Sequence, residues 1–247
     1  MPKRRSQRPN TNNNRANVQK EVETIKKNDK FKKVELKALN KNQEKYINAI
    51  ENSVLTVVLG IAGSGKSFIP SIIAADMFSN REINSIILAR PTEGPSKPLG
   101  TLPGTINEKL QSWLTPLVQT IKKRLGPGNF DYHLGKGNIE LLPLAQVKGR
   151  TFEDTFVIID EAEDIDIETM KSLVTRIGKN SKIVINGDIK QKHIKQKSGL
   201  EYLLYLIKKY SLPISIIEFE IDDCVRSKTT KMFLRCFEAE EDEKNLK

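Results

Sequence analysis

One octapeptide restricts this chain's fold more than any other stretch: Gly60-Ile61-Ala62-Gly63-Ser64-Gly65-Lys66-Ser67. It meets every fixed position of the phosphate-loop pattern. Glycines let the backbone wrap closely round phosphate oxygens and turn its N–H groups inward. The helix that follows adds the positive end of its dipole. Lys66 supplies a point charge to the β- and γ-phosphates, and Ser67 a hydroxyl to Mg²⁺. The motif demands a strand before it and a helix after it. Residues 55–59 are a continuous apolar strand, and 66–80 place Ile69, Ile72, Ile73, Ala74, Met77 and Phe78 on an inward helical face.

The same alternation runs through the chain. Strands are expected at 85–89, 139–143, 155–159, 182–186 and 214–219. Helices are expected at 42–53, 106–124, 167–177 and 199–209, the third closed by Gly178 as a left-handed cap. Continuous Val/Ile/Leu runs separated by helices mean an α/β fold, a parallel sheet with helices on both faces. A length of 247 residues suits one such domain, or at most two small ones. No apolar run approaches the roughly 20 residues of a membrane span, and no apolar segment follows the basic N-terminus to make a secretory signal. A cytoplasmic protein is expected, with Cys224 and Cys236 as reduced thiols.

Charge divides the chain. The net charge is +10, and residues 1–33 hold eleven Lys/Arg against three Asp/Glu. Residues 1–30 have too few large apolar side chains to offset their ordering entropy, so a disordered basic arm is expected. It either solubilises the protein or contacts phosphate backbones. Residues 31–237 form the expected nucleotide-binding domain, and 238–247 an acidic tail with five acids and two lysines.

Three further elements bear on chemistry. Residues 156–159 run straight into Asp160 and Glu161. The C-terminal end of a parallel strand lies in the crevice where α/β sheets bind ligands. Asp160 is placed there to hold Mg²⁺, and Glu161 to orient or deprotonate the attacking water. Asn186-Gly187-Asp188-Ile189-Lys190-Gln191 follows the next strand; Gln191 either senses the γ-phosphate or belongs to a polar turn. Gln43 precedes the loop by one helix and one strand. Its carboxamide can read an adenine edge, or simply face solvent.

In this order, Gln43, the 60–67 loop, Asp160-Glu161-Ala162-Glu163, and Gly187-Asp188 with Gln191 resemble a superfamily-one helicase motor domain. The PhoH family of ATPases is a closer match. The resemblance is carried by Ala89-Arg90-Pro91, Leu102-Pro103-Gly104, Gly149-Arg150-Thr151, Thr175-Arg176-Ile177-Gly178, Ser198-Gly199-Leu200 and Val225-Arg226. It covers about residues 40–230. There are departures. Glu163 stands where the family has glutamine, residues 92–98 lack the expected acids, and Ser227-Lys228 replace a His-Pro pair.

The resemblance implies a RecA-like core that binds ATP and Mg²⁺. Gln43 would select adenine. Gly60, Ile61, Ala62, Gly63, Ser64, Gly65, Lys66 and Ser67 would hold phosphates. Asp160 would bind the metal, Glu161 the water, and Gln191 the γ-phosphate. Arg226 is the candidate charge-stabilising arginine, and Arg90 and Arg150 would face nucleic acid or complete the nucleotide site. The expected activity is ATP hydrolysis coupled to single-stranded RNA or DNA; the alternative is an ATP-controlled switch acting on a protein partner. No nuclease domain is expected ahead of the motor, nor a second motor domain after it. A homo-oligomer is therefore expected, most simply a hexamer, with Arg226 or else Arg150 donated across the subunit border.

Overall fold

A computed structural model describes residues 34–91, 106–146, 150–192, 194 and 197–245. The expected basic arm, the departure at 92–98, the 102–104 match and Gly149 lie outside the described residues. Among those described, six strands form one sheet: β1 (Leu55–Gly60), β2 (Ser85–Arg90), β3 (Ile139–Pro143), β4 (Thr155–Ile159), β5 (Lys182–Gly187) and β6 (Ser215–Phe219). Their order is β3-β2-β4-β5-β1-β6, and every pairing is parallel. β5 lies between the strand that enters the phosphate loop and the strand that ends in acids. The register sets Val58 level with Asn186, and Ile159 level with Ile185. β4 thus ends level with Ile185 and Val57, so β5 and β1 run on past its C-terminal end. This is a RecA-like P-loop arrangement.

Strand side chains alternate faces, so each strand feeds two cores. Val58, Ile86, Leu88, Phe156, Ile158 and Val184 pack with α1 (Lys41–Asn52), α2 (Phe68–Ser79), α3 (Ile106–Trp113), α4 (Thr115–Leu125) and α5 (Pro127–Lys136). Val57, Leu59, Ile87, Val157, Ile159, Ile183 and Ile185 pack with α6 (Ile167–Val174) and α7 (Gly199–Lys209). Each such side chain contributes about 1.5–3 kcal/mol when fully buried. Continuous apolar strands are therefore what this two-sided burial requires.

The helices depart from expectation at identifiable residues. The helix expected over 106–124 breaks at Leu114, whose ψ is 15°. Pro116 follows; it lacks an N–H and cannot sit inside a continuous helix, but is tolerated in a first turn. α6 stops at Val174 rather than 177, and Gly178 has no left-handed backbone. The chain there turns back: Phe152 N–H donates to Arg176 O at 2.8 Å, and Gly178 N–H to Phe152 O at 2.8 Å. Gly178 is needed for space, because a Cβ would lie 2.4 Å from Phe152 O.

Two helices were not expected. α5 carries Phe130 into the core. α8 (Lys228–Asn245) runs through the expected boundary at 237, so the acidic stretch begins inside a helix. Glu238 pairs there with Lys190, and Met232, Phe233 and Phe237 are exposed.

Candidate nucleotide site

The loop between β1 and α2 is braced from both ends of the described chain. Gly63 and Gly65 have φ of +87° and +99°, in the left-handed region that favours glycine. Gln43 is 4% exposed; its Nε2 donates to Ser64 O at 2.8 Å, and its Oε1 accepts from Leu39 N–H at 2.8 Å. Tyr46 OH donates toward Lys66 O at 3.0 Å and Asn186 Oδ1 at 3.1 Å. From the other side Val225 N–H donates to Gly63 O at 3.0 Å. Gln43 therefore braces the loop. Both ends of its amide are occupied, and it does not line the cleft.

The cleft has a volume of about 350 Å³ and is lined by Ile61, Ala62, Gly63, Gly65, Lys66, Ser67, Arg90, Asp160, Glu161, Glu163, Asn186, Gln191 and Arg226, among others. Gly60 does not line it, and Ser64 is fully buried. A larger cavity of about 520 Å³ shares Ile61 and Asp188 with the cleft and reaches Phe219, Ile221 and Arg235. It holds none of Lys66, Ser67, Asp160 or Glu161; the smaller cleft gathers them all.

Ser67 Oγ donates to Asp160 Oδ1 at 2.9 Å, and Asn186 Nδ2 approaches the same oxygen at 3.4 Å. A hydroxyl beside a carboxylate is a hard oxygen pair of the kind Mg²⁺ takes together with phosphate oxygens and water. Among the described residues no cluster of three or more His, Cys, Asp or Glu could hold a metal by itself. The donor set thus fits a cation that arrives with a phosphate ligand.

Charge is concentrated here. Burial lowers the Lys66 ammonium from its ordinary range, while Asp188, Glu163, Asp160 and Glu161 pull it back up. Burial raises the Glu161 carboxyl, and Arg90 opposes that shift. Glu163 is 5% exposed, and burial pushes it from 4.5 to about 7. Its Oε2 accepts from Asp188 N–H at 3.0 Å, and its backbone carbonyl accepts from Ser198 Oγ at 2.8 Å. Glu161 has φ 53° and ψ 50°. Such left-handed backbone costs a non-glycine residue about 1–3 kcal/mol and tends to mark functional turns.

The four remaining expected residues part company. Gln191 lines the cleft, but its Nε2 donates to Asp188 Oδ2 at 2.9 Å. Arg90 lies in the cleft, bonded to Glu161 and to Trp113 O. Arg226 stands over its own loop: a Cβ on Gly63 would be 2.6 Å from Arg226 Nε. Within one chain Arg226 thus lies beside the phosphate loop. Arg150 is outside the cleft, in a two-pronged pair with Glu140 at 2.7 and 2.8 Å.

Sequence reasoning missed two contributors. Tyr46 is fully buried, and nothing local in the sequence marks its hydroxyl for Asn186 and the loop. Asn186 had a signal: it is a polar residue closing an apolar strand, and it is fully buried.

Comparison with known proteins matches residues 35–238 to the PhoH-like protein family. A PhoH-like protein of Bacillus subtilis is 36% identical over 206 residues, covering 83% of this chain and 64% of its own. Protein PhoH of Escherichia coli K12 is 35% identical over 204 residues, covering 81% and 57%. The chain therefore spans about 57–64% of the length of these relatives. Among solved structures, Pif1 helicase from Candida albicans aligns over 74% of this chain and 40% of its own, at 16% identity and a TM-score of 0.38, too distant to carry an argument. With the loop, the acid pair and five-sixths of its length matched, this chain belongs to the PhoH-like protein family.

Proposed function

We propose that the chain is a Mg²⁺-dependent ATPase whose turnover is coupled to single-stranded nucleic acid. The carrying observation is the convergence of Lys66, Ser67, Asp160, Glu161 and Arg226 on one cleft, with Ser67 bonded to Asp160 at 2.9 Å. Loop N–H groups and Lys66 would bind the β- and γ-phosphates. Ser67 and Asp160 would hold Mg²⁺, which when bound screens phosphate charge. Glu161 would accept the proton of the attacking water, and Arg226 would neutralise charge on the transferring group. The basic N-terminal segment supports contact with a nucleic-acid backbone.

The test is ATP turnover with and without single-stranded RNA or DNA. Lys66→Ala should abolish binding or turnover. Glu161→Gln should retain nucleotide and lose about 10²-fold or more in rate, the usual worth of a positioned base. A wild-type rate in Glu161→Gln would remove Glu161 from this role.

A second reading, an ATP-controlled switch for a protein partner, is favoured by the exposed Met232, Phe233 and Phe237 of α8. It expects turnover indifferent to nucleic acid. A head-to-tail homo-oligomer, most simply a hexamer, remains part of the proposal, with Arg226 the first candidate donor to a neighbour and Arg150, 43% exposed at its side chain, the second. Light scattering together with turnover tests it: a monomer with full activity at micromolar concentration sinks it.

A further inference from the structure

Arg90 and Glu161 form an ion pair between the C-terminal ends of β2 and β4. Its direction matters. β2 lies on the far side of β4 from β1, which carries the phosphate loop. At roughly 4.8 Å per strand, β2 stands about 14 Å from β1. Lys66 and Ser67 follow β1, so a terminal phosphate bound by them as proposed, and the water in line with it, would lie on the β1 side of Glu161. Arg90 draws the carboxylate toward the opposite side. The guanidinium is also tethered: Nη1 donates to Trp113 O, at the end of α3, at 3.0 Å. Two anchors fix it where a lone solvated arginine would wander.

We infer that Arg90 is a positioning residue that holds Glu161 away from the attacking water, so that an anion competing for Arg90 releases the base and raises the rate. The inference rests on the reading of Glu161 as the general base. The competing anion is a backbone phosphate of a single strand lying at the C-terminal end of β2. A guanidinium fork exchanges carboxylate for phosphate with matching geometry. Basal hydrolysis is then limited by the fraction of molecules in which the pair is broken, and the nucleic acid acts on that fraction.

The experiment uses the full chain and measures kcat and KM for ATP with and without a single-stranded RNA oligonucleotide. It compares wild type, Arg90→Gln, Arg90→Lys, Glu161→Gln and the Arg90→Gln/Glu161→Gln double variant. Arg90→Gln should raise kcat without RNA about fivefold, the scale of one partly exposed ion pair. KM should stay within about twofold, because the contact is not made to substrate. The stimulation ratio should fall toward one. Arg90→Lys, a cation without the fork, should lie between. The double variant should be as slow as Glu161→Gln alone, which shows that the gain passes through Glu161.

A folded Arg90→Gln protein with kcat at or below wild type overturns the inference and makes Arg90 a phosphate-binding group instead. If Arg90→Gln melts well below wild type, Arg90→Lys decides on the same criterion. A wild-type rate in Glu161→Gln alone sinks the general-base reading, whatever the Arg90 variants do.

Discussion

Glu163 is a carboxyl in a place suited to an amide. It needs only to accept the Asp188 N–H, which a glutamine oxygen does without charge. Burial raises it from 4.5 to about 7. The native state therefore holds this proton more tightly than the unfolded chain does. Its contribution to stability is fully present below the unfolded value and is lost as pH rises through about 7. Glu163→Gln should flatten the fall in melting temperature between pH 5 and 8. At pH 8 the variant should be more stable by about 1–3 kcal/mol, less than the full shift because water and nearby cations relax the site. An unchanged pH slope would mean that Glu163 titrates normally.

At the scale of elements, the strands were the legible part. Each is a run of apolar β-formers, and two-sided burial leaves no other reading. Helix ends were less legible, because tertiary partners decide them. Gly178 looked like a cap but serves the close approach of two backbones at Phe152. Gly178→Ala should therefore destabilise the protein by about 1–3 kcal/mol through overpacking, measured by urea unfolding; a change within about 0.3 kcal/mol would mean that the two backbones separate to admit a Cβ at little cost. α5 begins with Pro127-Gly128 and contains Gly135, which reads as loop. α8 has no side chain classed as buried among residues 228–240, so no core stripe announces it.

For the whole molecule, legibility divides by distance along the chain. The phosphate loop, Ser67 and Asp160 were readable because a short motif defines each. Where Arg90, Gln43 and Arg226 point was not, since contacts across strands and between distant segments set it. Charge asymmetry belongs to this scale. Removing residues 1–30 should weaken nucleic-acid binding and reduce its log–log salt slope by roughly 0.7 per lost phosphate contact on single strands. An unchanged slope makes the arm a solubilising segment. The seat of Arg226 has a further consequence. Val225 donates its N–H to the loop itself, and the residues before it, Ile221–Asp223, lie some 160 positions from Gly63 in sequence. If the loop binds ATP as proposed, its occupancy and the order of this segment would be linked. Tightening by ATP should slow amide hydrogen exchange at Val225 and Arg226, and a change that frays this turn should weaken nucleotide affinity by the same factor. The turn that leads into α8 would then report what the phosphate loop holds, some 160 positions away in sequence.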